Sequence, residues 1–170
     1  MKLNLGCGHK KLPGFLNVDL AGADCNVDLS VFPWPWADES VDYILASHIL
    51  EHFSKEDGDK FIEECYRVLR RNGAMHLAVP DMDKFIQAHL TGDFSPLNGY
   101  KWTDLNYLCG GDETEHKPEQ RHKYMYNRET LYYMLGQNGF GNFWASNWPD
   151  EHLDNLEYKA ISLYVTAVKE

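Results

Sequence analysis

The chain has 170 residues, with hydrophobic residues at 44%, charged residues at 25% and a formal net charge of −10. That length and balance suit one globular domain with a substantial core. The acidic charge speaks against a nucleic-acid partner, whose phosphates are met by clustered Lys and Arg. Cys7, Cys25, Cys65 and Cys109 stand far apart without a Cys-x-x-Cys pair, which is neither a zinc spacing nor a compact disulfide scaffold. No charged segment followed by an apolar one opens the chain, and no apolar run approaches membrane-spanning length. A cytoplasmic protein with free thiols and no membrane partner is expected.

The first element is Leu3-Asn4-Leu5-Gly6-Cys7-Gly8, an apolar run entering a Gly-x-Gly turn. Glycine suits a place where backbone turns with positive φ or passes close to a ligand. Residues 15–20, ending in Asp19 and Leu20, read as a second short strand, and residues 25–29, carrying Asp28, as a third. Phe32-Pro33-Trp34-Pro35-Trp36 cannot be regular structure, because two prolines remove amide donors and restrict their neighbours. An ordered loop over apolar surface is expected there.

Residues 41–46 form a compact β-type run that leads into Ser47-His48-Ile49-Leu50-Glu51-His52. Ser54 caps a helix whose apolar positions are Phe61, Ile62, Cys65, Val68 and Leu69, with Arg70 and Arg71 near its end and Asn72-Gly73 stopping it. Residues 74–79 make another buried strand. Asp81 caps a short helix with Phe85, Ile86 and Leu90. Asn127 caps a further one with Leu131, Met134 and Leu135, ended by Asn138-Gly139. Residues 143–148 and 161–168 are the last β-type runs. Between residues 91 and 123 the periodicity lapses, as in a functional lid or binding loop.

Strands alternating with helices describe a single α/β domain built on a mostly parallel sheet, in which ligands bind at the carboxyl ends of the strands. Gly6, Gly8, Asp19, Asp28, Ser47 and His48 all fall at such ends, which is the pattern of a cofactor site.

These residues, in this order, resemble the class I S-adenosylmethionine-dependent methyltransferases, in particular the small type 11 group. The resemblance runs from the glycine turn through Val18-Asp19, Asp28-Leu29, Asp42-Tyr43-Ile44 and Ser47-His48-Ile49-Leu50-Glu51-His52. It continues through Tyr66-Arg67-Val68-Leu69-Arg70-Arg71-Asn72-Gly73, Val79-Pro80 and His122-Lys123-Tyr124-Met125-Tyr126. It implies a Rossmann-like fold and an S-adenosylmethionine cofactor on Asn4, Gly6, Cys7, Gly8, Asp19, Leu20, Asp28, Leu29, Ser47 and His48. In that arrangement the glycine turn meets the methionine part, Asp19 the ribose hydroxyls, Asp28 the adenine amino group and Leu29 its ring. Ser47 and His48 line the methionine end near the sulfonium.

The chain departs from the group in carrying Asn4 and His9 where an acid and a third glycine are usual. Its segments 8–15 and 20–24 are also too short for helical crossovers. One sheet face should therefore lack cover, to be filled by the aromatic loop or by a second copy in a homodimer. Residues 91–126 are expected to shape a pocket for a small-molecule or saccharide acceptor. An alternative is a non-catalytic S-adenosylmethionine-binding module or partner subunit; a nicotinamide cofactor fits poorly without Gly-x-Gly-x-x-Gly.

Among the histidines, His48 and His52 are four apart, but a metal pair needs further ligands and Glu51 is out of the usual place for a base, so no metal is expected. His52 reads as a structural histidine. His116, His122, Tyr124 and Tyr126 lie in the polar segment, where His122 or Tyr124 could take a proton from the acceptor, as could His48 at the strand end.

Overall fold

The computed structural model describes residues 1–97, 121–146 and 160–170. The strands are β1 (Lys2–Leu5), β2 (Leu16–Asp19), β3 (Cys25–Asn26), β4 (Val41–Ser47), β5 (Leu69–Pro80), β6 (Asn142–Ala145) and β7 (Ser162–Val168), and the helices α1 (Lys55–Val68), α2 (Met82–Thr91) and α3 (Arg128–Gln137). They form one seven-stranded sheet ordered β3-β2-β1-β4-β5-β7-β6. β1 to β5 pair in parallel, and β7 runs antiparallel to both β5 and β6. The order reverses between β1 and β4, so the carboxyl ends of β1, β2 and β4 border one crevice. This is the mostly parallel α/β sheet expected.

Strand alternation separates the two faces. Leu3, Leu5, Val18, Ile44, Ala46, Met75, Leu77, Val165 and Ala167 share one core with Phe61, Ile62, Cys65 and Val68 of α1 and Leu131, Met134 and Leu135 of α3. The opposite face carries Asn4, Asn17, Tyr43, His76 and Thr166: Tyr43 stacks on His76 at 5.0 Å, and His76 Nδ1 lies 3.2 Å from Thr166 Oγ1. A buried parallel sheet is ordinarily apolar on both faces. This one is apolar on one face and mixed on the other, where the fully buried Leu45 stands between Asn4 and His76 in the register.

The β1–β2 and β2–β3 connections contain no helix, as expected. Side-chain hydrogen bonds take their place. Asn17, 3% exposed, accepts from the Asn4 amide at 2.9 Å and from the Leu12 backbone N–H at 2.8 Å. Its own amide donates to the Asp24 carboxylate at 2.7 Å. One buried amide thus ties both connections to the sheet.

The aromatic loop fills the core on the helix-covered face. Trp34 and Trp36 are buried, and Trp34 meets Phe61 edge-on at 5.1 Å. Glu64 and Arg67, one helical turn apart on α1, clip it there. Glu64 accepts from the Trp34 backbone N–H at 2.7 Å and from Arg67 Nε at 2.7 Å, while Arg67 Nη1 donates to the Trp36 carbonyl at 2.9 Å.

Caps on Ser54, Asp81 and Asn127 form as the sequence indicates, and Asn127 closes a capping box with Thr130. The end of α1 differs. The helix stops at Val68, because the fully buried Leu69 is already extended and paired with Val41. Arg70, Arg71 and Asn72 then bulge outward before Ala74 pairs with Tyr43, with Asn72 at φ +60°. The third strand is also shorter than expected, at two residues. Residues 98–120, with His116 and Cys109, and the acidic connection 147–159 lie outside the described residues. Among the described residues no helix is long and apolar enough to cross a membrane.

Two predictions follow from this packing. Gly58 sits inside α1, where alanine normally stabilises by about 0.5–1 kcal/mol. Here an added Cβ would lie 2.8 Å from the Tyr126 hydroxyl, which is fully buried and has no hydrogen-bond partner among the described residues. Gly58→Ala should therefore lower the calorimetric midpoint in the native background and raise it in a Tyr126→Phe background. An equal effect in both would refute the steric account. Burial raises the Glu64 carboxyl, but Arg67 and the Trp34 amide outweigh it and hold it below its ordinary 4.5. A folded pKa below the unfolded one stabilises above pH 4.5, and that stability is lost as pH falls through the folded value. Arg67→Ala should cost about 3 kcal/mol in urea unfolding at pH 7, since it strands a buried carboxylate. The cost should shrink as pH drops below about 4.5, where protonation relieves the stranded charge. A pH-independent cost would contradict the clip.

Candidate cofactor and active site

The glycine turn leaves β1 at the centre of the sheet. Gly6 has φ +66°, and a Cβ there would lie 2.7 Å from the Ile49 side chain. Ile49 follows β4, so Gly6 lets the two neighbouring strand ends close on each other. Gly8 has φ +52° and open space where a Cβ would project. Cys7 is 6% exposed, with its amide donating to the Val18 carbonyl at 3.0 Å; burial pushes its thiol pKa up. Asn4, 4% exposed, gives its amide to the Lys10 carbonyl and to Asn17. Both fasten the turn from behind.

Asp19 stands at the end of β2. Its Oδ2 accepts from the Gly8 N–H at 2.8 Å and its Oδ1 from the Leu20 N–H at 2.7 Å. A carboxylate offers about four lone-pair positions, so acceptor capacity remains for two further donors such as a vicinal diol. Leu20 beside it is 63% exposed. Asp28 accepts from the Ser30 hydroxyl at 2.6 Å and the Ser30 N–H at 2.9 Å, and these bonds hold its carboxyl below the usual range.

Leu29 directly follows Asp28 but is not open at this edge. The chain turns at Asp28 and sends Leu29 inward, where it is 5% exposed and its carbonyl accepts from the Trp34 indole at 3.2 Å. Leu20, not Leu29, is the apolar side chain open at this edge.

At the end of β4, Ser47 is half-buried, and His48 turns at φ +53° with its amide bonded to the Ala78 carbonyl at 2.8 Å. His48 Nε2 lies 2.8 Å from Ser162 Oγ, and Nδ1 lies 3.2 Å from Glu51 Oε1. Leu50–His52 is a short 3-10 turn, so His48 and His52 do not share a helix face. Glu51 is instead the centre of this region. It is 1% exposed, and its carbonyl accepts from the Lys123 N–H at 2.8 Å and the Tyr124 N–H at 3.3 Å. His122 Nε2 is 4.0 Å from Glu51 Oε1, and the His122 and His52 rings lie edge-on at 5.1 Å. Tyr124 packs on Tyr126 at 5.0 Å.

The fold thus gathers Gly6, Gly8, Asp19, Leu20, Asp28, Ser47 and His48 along one crevice edge and brings His122 and Tyr124 against the turn after β4. Glu51, Asn17 and Asp24 are the residues that sequence reasoning passes over. The signal for Glu51 is an acid between two histidines in a run otherwise apolar. Nothing in the sequence marks the other two, whose partners are set by the turn.

The crevice suits S-adenosylmethionine: an open glycine turn for the methionine part, a carboxylate with spare acceptor capacity for the ribose, and an exposed apolar side chain beside it. Residues 15–77 match the model of a family described as a methyltransferase domain. No curated protein matches the sequence. Among solved structures, the chain is similar to S-adenosylmethionine-dependent methyltransferases of three organisms. That of Archaeoglobus fulgidus is 17% identical, with a TM-score of 0.61 and coverage of 99% of this chain and 85% of that one. That of Thermotoga maritima is 13% identical, with a TM-score of 0.64 and coverage of 99% and 82%. That of Methanosarcina mazei is 14% identical, with a TM-score of 0.60 and coverage of 99% and 91%. These likenesses establish the fold, that of the S-adenosylmethionine-dependent methyltransferases, and residues 15–77 carry the likeness to the methyltransferase-domain family.

Proposed function

We propose that this protein is an S-adenosylmethionine-dependent methyltransferase acting in the cytoplasm on a small-molecule or saccharide acceptor, with the cofactor seated on Gly6, Gly8, Asp19, Leu20, Asp28, Ser47 and His48. The observation that carries the seating is Asp19, a carboxylate locked to the glycine turn and to its own strand end with lone pairs to spare. The bound cofactor supplies a methyl group activated by a sulfonium, which an aligned acceptor atom displaces in line. The net charge of −10 favours an acceptor other than a polyanion. The acceptor side in this reading is residues 91–126, of which 98–120 lie outside the described residues.

The protein's own contribution is alignment. His48 has both ring nitrogens engaged, by Ser162 and Glu51, so it serves as a positioning residue at the methionine end. Tyr124 and His122 are likewise held, against Tyr126 and beside Glu51. Orientation of reactants supplies a large part of a two-substrate rate without a dedicated base. A homodimer formed across the sheet face above the short connections is the oligomeric reading, since no helix of those connections covers that face. Light scattering distinguishes 19.7 kDa from twice that mass.

The helix-free β1–β2 and β2–β3 connections favour one second reading, a module that binds S-adenosylmethionine without turning it over. Saturable binding with no product across a panel of hydroxyl, amine and saccharide acceptors would select it. For the cofactor site itself, calorimetry on Asp19→Ala is decisive. Two hydrogen bonds to a charged acceptor contribute about 1.5–3 kcal/mol each, so affinity for S-adenosylmethionine should fall by at least about 100-fold. The thermal shift given by the ligand should vanish with it. Unchanged affinity in a folded Asp19→Ala protein would overturn the assignment.

A further inference from the structure

We propose that Glu51, His52 and His122 form a binding site for a first-row divalent cation of the zinc type, with coordination positions left open. One ligand atom from each of the three residues can be chosen so that all lie within 4.8 Å of one another. Around a metal with bonds near 2.0–2.2 Å, tetrahedral ligand atoms stand roughly 3.3 Å apart. Side-chain rotations of about an ångström close the difference.

The buried carboxylate supplies the reason to expect an ion. Both Glu51 oxygens are inaccessible; Oε1 faces His48 Nδ1 at 3.2 Å, while Oε2 has no hydrogen-bond partner among the described residues. Burying a carboxylate with one oxygen so left is unfavourable. His48 Nδ1, 3.2 Å from Oε1, occupies the place of an orienting outer group of the kind that fixes metal-binding carboxylates.

The fold also supplies the ligand that the sequence lacks. His48 and His52 alone make no site, but the Glu51 carbonyl accepts from the Lys123 and Tyr124 backbone N–H groups. That places His122 against the 3-10 turn from 70 positions further along the chain. Two imidazoles and one carboxylate are borderline donors, which favours zinc, cobalt, nickel or iron over magnesium or calcium with their all-oxygen shells. Three protein ligands leave room for water or for an acceptor oxygen, as in catalytic rather than structural zinc sites. The last point rests on the methyltransferase reading; cation binding itself does not.

The test uses the full chain stripped with a chelator and titrated with Co²⁺ and Zn²⁺, followed by calorimetry and by the visible absorption of cobalt. One cation per chain is expected. Glu51→Gln, His52→Asn and His122→Asn should each weaken binding at least 10-fold and remove the cobalt bands. Should Glu51→Gln fail to fold, the partly exposed His52 carries the test through His52→Asn. Absence of saturable binding, or equal binding in the folded variants, overturns the proposal. S-adenosylmethionine affinity measured on cation-free His52→Asn should match that of the cation-free parent, so a failure of the cation site and a failure of the cofactor site are read separately.

Discussion

A parallel strand pair needs its chain returned to the starting edge, and this protein returns it twice without a helix. The amide of Asn17 makes that feasible. It is buried where an apolar crossover would ordinarily pack, and it joins Asn4 of β1, Leu12 of the first connection and Asp24 of the second. A buried amide is tolerable only when its donors and acceptor are met, and here the same bonds that satisfy it set the path of the chain. The mixed face of the sheet accompanies this choice. With no amphipathic helix laid on it by these connections, Asn4, Tyr43, His76 and Thr166 share that face with the buried Leu45.

The other face solves the corresponding problem for β3 and β4. Their connection holds the aromatic loop, whose two buried indoles fill volume that a helix would otherwise provide. Apolar burial alone leaves such a segment free to slide, because it has little direction. The Glu64–Arg67 pair supplies direction by bonding the backbone of Trp34 and Trp36. Indoles give the stabilisation, and the ion pair gives the register.

Much of this is legible in the sequence, for physical reasons that differ by element. Helix starts at Ser54, Asp81 and Asn127 are readable because a cap is a local contact, satisfied within three residues. The glycine turn and the acids at strand ends are readable because alternation and chain direction alone place them along one edge. The end of α1 is not. Asn72-Gly73 stops a helix or shapes a bulge equally well, and the pairing of Leu69 with Val41 decides between them. Leu29 is misread for a similar reason: its direction depends on the Asp28–Ser30 turn, which a strand assignment conceals. Glu51 is hidden altogether, since its surroundings are assembled from segments 70 residues apart.

The contact between Gly6 and Ile49 has a mechanical consequence. Ile49 is followed directly by the fully buried Leu50 and by Glu51, whose carbonyl grips the backbone of Lys123 and Tyr124. From there the chain reaches Tyr126, whose carbonyl accepts from the Met82 N–H at 3.0 Å. The glycine turn and the segment ahead of α3 are thus opposite ends of one short strut with packed joints. A Cβ at Gly6 would meet Ile49 at 2.7 Å, so only glycine lets this joint close. The turn that borders the crevice and the segment ahead of α3 are therefore joined by unbroken contact through Ile49, Leu50 and Glu51.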